Sequence, residues 1–78
     1  MKIINKTNEV LDVEYKDDKY KSINPNEDLE TELKGKIIVY GDNGSIVIIK
    51  DHRSNIIKQF SGLKANILGL DEIEVYNN

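Results

Sequence analysis

Cysteine and tryptophan are absent, and alanine, arginine, histidine, proline, methionine and phenylalanine occur once each in 78 residues. Without Cys there is no disulfide framework, no thiolate metal site and no Cys nucleophile. The single Ala stands against 12 Ile, 5 Val and 2 Thr, a balance that favours strands over helices. One Pro and 5 Gly leave no stretch of linker composition and exclude a collagen-like chain. Long apolar runs are also missing. Ile37 to Tyr40 and Ile46 to Ile49 are the longest, at four residues each, far below the roughly 20 needed to span a bilayer. The first twenty residues hold no signal-peptide pattern, so a cytoplasmic location and no membrane contact are expected. A chain of this length buries about 60% of its unfolded surface, which suits one domain over residues 1–78.

What is abundant is Ile, Lys and Asn, at 12, 10 and 9 residues. All three have AT-rich codons, which points to a low-GC bacterium or one of its viruses. The net charge of −3 speaks against sequence-independent nucleic-acid binding, which depends on neutralising phosphates. The charge is unevenly spread: residues 1–33 sum to −4, residues 34–64 to +4 and residues 65–78 to −3. The basic middle either pairs with the acidic ends across a sheet or forms an anion- or partner-binding face.

Several segments read as strands. Lys2 to Asn5 is short and apolar, and Val10 to Lys16 sets Leu11, Val13 and Tyr15 on one face and Asp12, Glu14 and Lys16 on the other, the alternation of a half-buried strand. Asp17-Asp18-Lys19 is a turn leading into Tyr20 to Ile23. Lys36 to Tyr40 and Ser45 to Lys50 flank Gly41-Asp42-Asn43-Gly44, a hairpin signal with Gly and Asn available for positive φ. Because both runs are continuously apolar, at least one is expected to be central and covered on both faces. Asn55 to Phe60 would add a third strand of the same meander, and Glu72 to Tyr76 closes the chain with one apolar face. The expected fold is therefore all-β, a small antiparallel sandwich or partly open barrel of about six to eight short strands. A competing α+β reading places helices near 25–34, with an Asn cap and Pro at the first position, and near 55–68. The second of these would have to carry Gly62 internally at about 1 kcal/mol. The end strands Lys2 to Asn5 and Glu72 to Tyr76 would leave sheet edges for pairing between chains, and a homo-dimer or higher homo-oligomer is expected.

Catalytic constellations are not evident. Asp51, His52 and Ser54 are neighbours in one turn, where a hydrogen-bonded triad rarely converges. Asp17-Asp18 and Glu30/Glu32 lack the ligand ladder and Gly of a calcium loop, so neither a metal nor a cofactor is expected. Gly41 to Ser45 lacks the Lys-Ser/Thr continuation of a phosphate loop. The segment Lys50-Asp51-His52-Arg53-Ser54-Asn55, with Lys58 close by, unites the lone Arg and the lone His at one expected loop. Arg offers the planar bidentate geometry for phosphate or carboxylate that Lys does not. Tyr20, between Lys19 and Lys21, is the Tyr least committed to a core face. The candidate contact residues are Lys50, His52, Arg53, Asn55, Lys58 and Tyr20. These features suit a non-catalytic protein of inhibitor or accessory type that binds a protein partner stoichiometrically. The alternative is an oligomer that sequesters a small anionic ligand such as a nucleotide. Arg53→Glu is expected to weaken binding of an acidic partner or anion while changing stability by no more than about 0.5 kcal/mol. Lys36→Glu controls for a general charge effect; unchanged binding or unfolding of Arg53→Glu would make Arg53 structural.

Overall fold

The structure, a computed structural model, describes the chain apart from residues 17, 32–35, 43, 51–54, 60, 61, 70, 71 and 78, with backbone alone at 36, 49, 50 and 55–59. The described residues form strands and no helix. They are β1 (Lys2–Lys6), β2 (Leu11–Lys16), β3 (Lys19–Ile23), β4 (Asp28–Glu30), β5 (Lys36–Gly41), β6 (Gly44–Lys50), β7 (Asn55–Gln59), β8 (Leu63–Gly69) and β9 (Glu72–Asn77). Two open sheets pack as a sandwich, one in the order β4-β1-β9-β8 and the other β3-β2-β5-β6-β7. The expected all-β class holds. The α+β alternative fails where it can be read: residues 28–30, 55–59 and 63–69 are extended, and Gly62 adopts φ 71° between β7 and β8, a left-handed break no helix interior carries.

Strand alternation builds the core. Ile3 in β1, Leu11 and Val13 in β2, Ile37 and Val39 in β5, Ile46 and Ile48 in β6, and Ile73 and Val75 in β9 are all fully buried. Each occupies every second position, so each strand turns one row inward. Among the described residues, nine of the twelve buried apolar ones are Ile or Val, whose restricted χ1 suits a pleated surface. Each such side chain contributes about 1.5–3 kcal/mol when buried. The outer rows of β5 and β6 are not covered: Ile38 and Val47 are half-buried and Tyr40 is exposed. The continuously apolar runs therefore mark central strands with one dry face, a correction to the expectation of cover on both sides.

Two further corrections concern pairing. β1 and β9 are not edges, because β1 lies between β4 and β9, and β9 between β1 and β8. They run parallel to each other, with Ile3 opposite Ile73 and Asn5 opposite Val75, while the other ladders are antiparallel. At the β5–β6 hairpin, Gly41 pairs with Gly44, so the connection is two residues and neither Gly has positive φ; Asn43 lies outside the described residues. Gly41 is needed for space instead. A Cβ there would sit 2.5 Å from Glu9 Oε1 and 2.9 Å from Leu11 Cδ2.

The chain crosses between sheets at 7–10 and again at 24–27, and Asn5 fastens both crossings. Its side chain is fully buried. The amide Nδ2 donates to the carbonyls of Glu9 and Ile23, each at 2.9 Å. Oδ1 accepts from the Thr7 N–H at 2.9 Å and the Thr7 hydroxyl at 2.6 Å. Its backbone N–H donates to Glu27 O at 2.9 Å, and its carbonyl accepts from Asn26 N at 2.7 Å. The second crossing is a type II turn, with Pro25 at i+1, Asn26 at i+2 with φ 68°, and Glu27 N donating to Asn24 O at 3.0 Å. Pro and Asn are the residues this turn asks for, and the Glu27 carboxylate adds a bond from Asn24 N at 3.0 Å.

Removing the Asn5 amide strands several buried partners, each worth about 1–3 kcal/mol when unsatisfied. Asn5→Leu is expected to lower stability by about 2–4 kcal/mol in urea unfolding. Asn5→Asp is expected to cost more at pH 7, because a carboxylate would face two carbonyls, which raises its folded pKa above the unfolded carboxylate value. That variant should therefore regain stability as pH falls toward and below the folded value. Equal losses for both variants at every pH would show that the amide donors do not matter.

Candidate functional site

The outer face of the five-stranded sheet presents the clearest cluster. Across β2, Tyr20 of β3 lies opposite Glu14, and Tyr40 of β5 lies opposite Asp12. The two rings are thus diagonal neighbours that reach toward each other over β2, meeting with centroids 5.9 Å apart and planes tilted by 54°. This tilted arrangement is one that aromatic quadrupoles favour. Both tyrosines remain exposed, at 41% and 45%, and Val10, in the crossing just before β2, is exposed at 48%.

The strands place these groups by simple parity. Leu11 and Val13 point to the core, so Asp12 and Glu14 point outward; Ile37 and Val39 point inward, so Ile38 and Tyr40 point outward. Glu14 is nonetheless buried, and its Oε2 accepts from Asp18 N at 3.2 Å. That bond closes the β2–β3 turn, where Asp18 takes the left-handed φ of 59° that Asp tolerates better than most residues. Ser22 Oγ donates to Asp12 Oδ1 at 2.6 Å. On the opposite face of β3, Lys21 Nζ lies 5.1 Å from the Tyr15 ring centre.

The phenol of Tyr20 is held above its ordinary pKa of 10.0, first by partial desolvation and then by the negative charge of Glu14, with Tyr40 and Asp18 adding to it. The site is therefore an aromatic pair above carboxylates. Such a surface stacks and donates O–H bonds. Among the described residues no group of three or more His, Asp or Glu is placed to hold a metal ion, and no helix is long and apolar enough to cross a membrane.

Of the residues singled out in the sequence, Tyr20 is on this face. Lys50 and Asn55 are opposite each other in the β6–β7 ladder, and Lys58 pairs with Val47 further along β7. His52 and Arg53 lie outside the described residues. β3 and β7 are opposite edges of one sheet, four strand spacings or about 19 Å apart, so Tyr20 does not join the β6–β7 group. Tyr40 was missed because it ends an apolar run; its outward phase, opposite that of Ile37 and Val39, was the available signal. No family model, no curated protein and no solved structure matches the chain.

Because the fold favours the protonated Tyr20 phenol, its contribution to stability is intact below the unfolded phenol value near 10.0 and is lost as pH rises through the folded value. Spectrophotometric titration should show one phenol titrating above the ordinary range, and Tyr20→Phe should remove it. An unchanged titration curve in Tyr20→Phe would place the raised phenol elsewhere.

Proposed function

We propose that the chain is a small non-catalytic binding protein of inhibitor or accessory type. It works in the cytoplasm of a low-GC bacterium or one of its viruses by stoichiometric contact with a protein partner. The observation that carries this reading is the exposed Tyr20–Tyr40 pair on the outer face of the five-stranded sheet. Tyrosines are enriched in protein interfaces because they bring large contact area with few rotatable bonds. Half-buried Ile38 and Val47 extend the same face, giving the apolar centre and polar rim that recognition surfaces combine. Asp12 and the exposed Asp18 supply acidic rim groups, which favours a partner with a basic border around an apolar depression.

The test compares wild-type protein with the double variant Tyr20→Ser/Tyr40→Ser, purified from cells under native conditions and weighed by native mass spectrometry. A one-to-one complex that is lost in a double variant that stays folded, its stability lowered by about 1–2 kcal/mol through loss of the ring contact, is the expected result. If the native mass is the chain plus a small anion that Arg53→Glu releases, the ligand-sequestering alternative replaces this reading. A partner bound equally by wild type and double variant overturns the Tyr face as its site.

A further inference from the structure

Sheet edges invite pairing with other chains unless something blunts them, and the edges of this sandwich differ. β4 is three residues long and carries Asp28 and Glu30. β3 turns Lys21 to the same face as core residue Val13, opposite which it pairs, and an inward-pointing charge at an edge is a recognised block to association. β8 is guarded only by Lys64 and by a shift in its ladder near Gly69. It is seven residues long, and among the described residues it pairs with β9 alone. From Asn66 to Gly69 it is exposed, with Ile67 and Leu68 at 48% and 49%.

We propose that a second copy of this chain pairs with β8, antiparallel about a two-fold axis at Asn66, joining two four-stranded sheets into one of eight. Asn66 is the midpoint of Leu63–Gly69, so this register uses the whole strand and leaves no overhang. It is also self-complementary. Ala65 and Ile67 pair with the core residues Val75 and Ile73 and share their face, Lys64 and Asn66 take the other face, and Leu68 is the extra residue at the shift in the ladder, exposed at 49%. The register sets each Ile67 against Ala65 of the other copy, covering apolar surface that is otherwise wet. Each Lys64 falls opposite Leu68 of the other copy rather than opposite its own equivalent, so like charges do not meet. One strand further in, Glu72 pairs with Gly69 and already meets Lys2 Nζ at 3.7 Å, and the incoming Lys64 would be a second cation beside it. Lys64 has no ion pair among the described residues, and this pairing gives it one. The shift in the β8–β9 ladder between Ile67 and Gly69 falls at Leu68, so the two-fold places it at both ends of the overlap and leaves Ala65 to Ile67 as the regular centre. The pairing lies in the other sheet from the Tyr20–Tyr40 face and is independent of the function proposed for it.

Because the chain has no Cys, single cysteines report the register directly. Sedimentation at micromolar concentrations should give twice the chain mass. Asn66→Cys, whose two copies would face each other about 4.5–5.5 Å apart at Cα, should form a disulfide-linked dimer under mild oxidation. Lys64→Cys and Tyr20→Cys should not. Leu68→Lys, an exposed position, should weaken the dimer on the order of tenfold by facing Lys64, and Lys64→Glu should weaken it comparably, with Lys64→Glu/Glu72→Lys restoring it. A monomer mass throughout the range overturns the proposal. So does a dimer that Leu68→Lys leaves intact or that Asn66→Cys fails to link; in those cases a second chain is absent or sits elsewhere.

Discussion

A single buried amide holds the sandwich together at one end. Asn5 sits in the row that elsewhere in β1 and β9 is filled by Ile3, Ile73 and Val75, and an aliphatic side chain there would pack as well as its neighbours. What an aliphatic residue lacks is the means to satisfy two carbonyls and an N–H brought in by the chain as it passes between sheets. Buried polar groups left without partners are costly in a low-dielectric interior. Asn offers two donors and two acceptor sites on one planar group, and all are engaged here. The buried amide thus ties both crossings to β1 at that end of the sandwich.

This dependence explains which parts of the fold were readable in the residues. Period-two alternation is local, so the inward row of β2 could be read directly, whereas the unbroken apolar runs of β5 and β6 concealed which row faces the core; the β5–β6 hairpin followed from its Gly-flanked connection. Pro25 and Asn26 were legible as a turn, although an Asn cap and first-turn acids argued equally for a helix. The β-rich surroundings decided the outcome, since a short isolated helix with a narrow apolar face has little to bury. Strand partnership was not legible. That β1 and β9 lie side by side in parallel depends on contacts between residues some seventy positions apart, and nothing in either segment distinguishes an edge from a centre. Asn5 was readable in phase with Ile3, yet its burial depends on crossings that exist only once both sheets have formed.

The surface was read less completely than the core. Flanking lysines marked Tyr20 as exposed, whereas Tyr40 was concealed by the apolar residues before it. Only the register across β2 brings the two rings together, and no sequence window contains both. Concentrating the lone Arg and His at 52–53 drew attention to the β6–β7 connection, whose backbone does set Lys50 across from Asn55. Composition locates such clusters; the order of strands in the sheet decides which can act as one surface.

The chemistry of the core has an optical consequence. With no Trp in the chain and no aromatic ring among the described buried residues, the near-ultraviolet spectrum belongs largely to tyrosines on or near the surface. Tyr15, Tyr20, Tyr40 and Tyr76 are all half-buried or exposed, so their absorbance and emission report what touches the protein from outside rather than how its interior is packed. The molecule carries intrinsic probes at its candidate contact face and is nearly silent in its core. A ligand or partner that covers the Tyr20–Tyr40 pair would announce itself in that signal without any label.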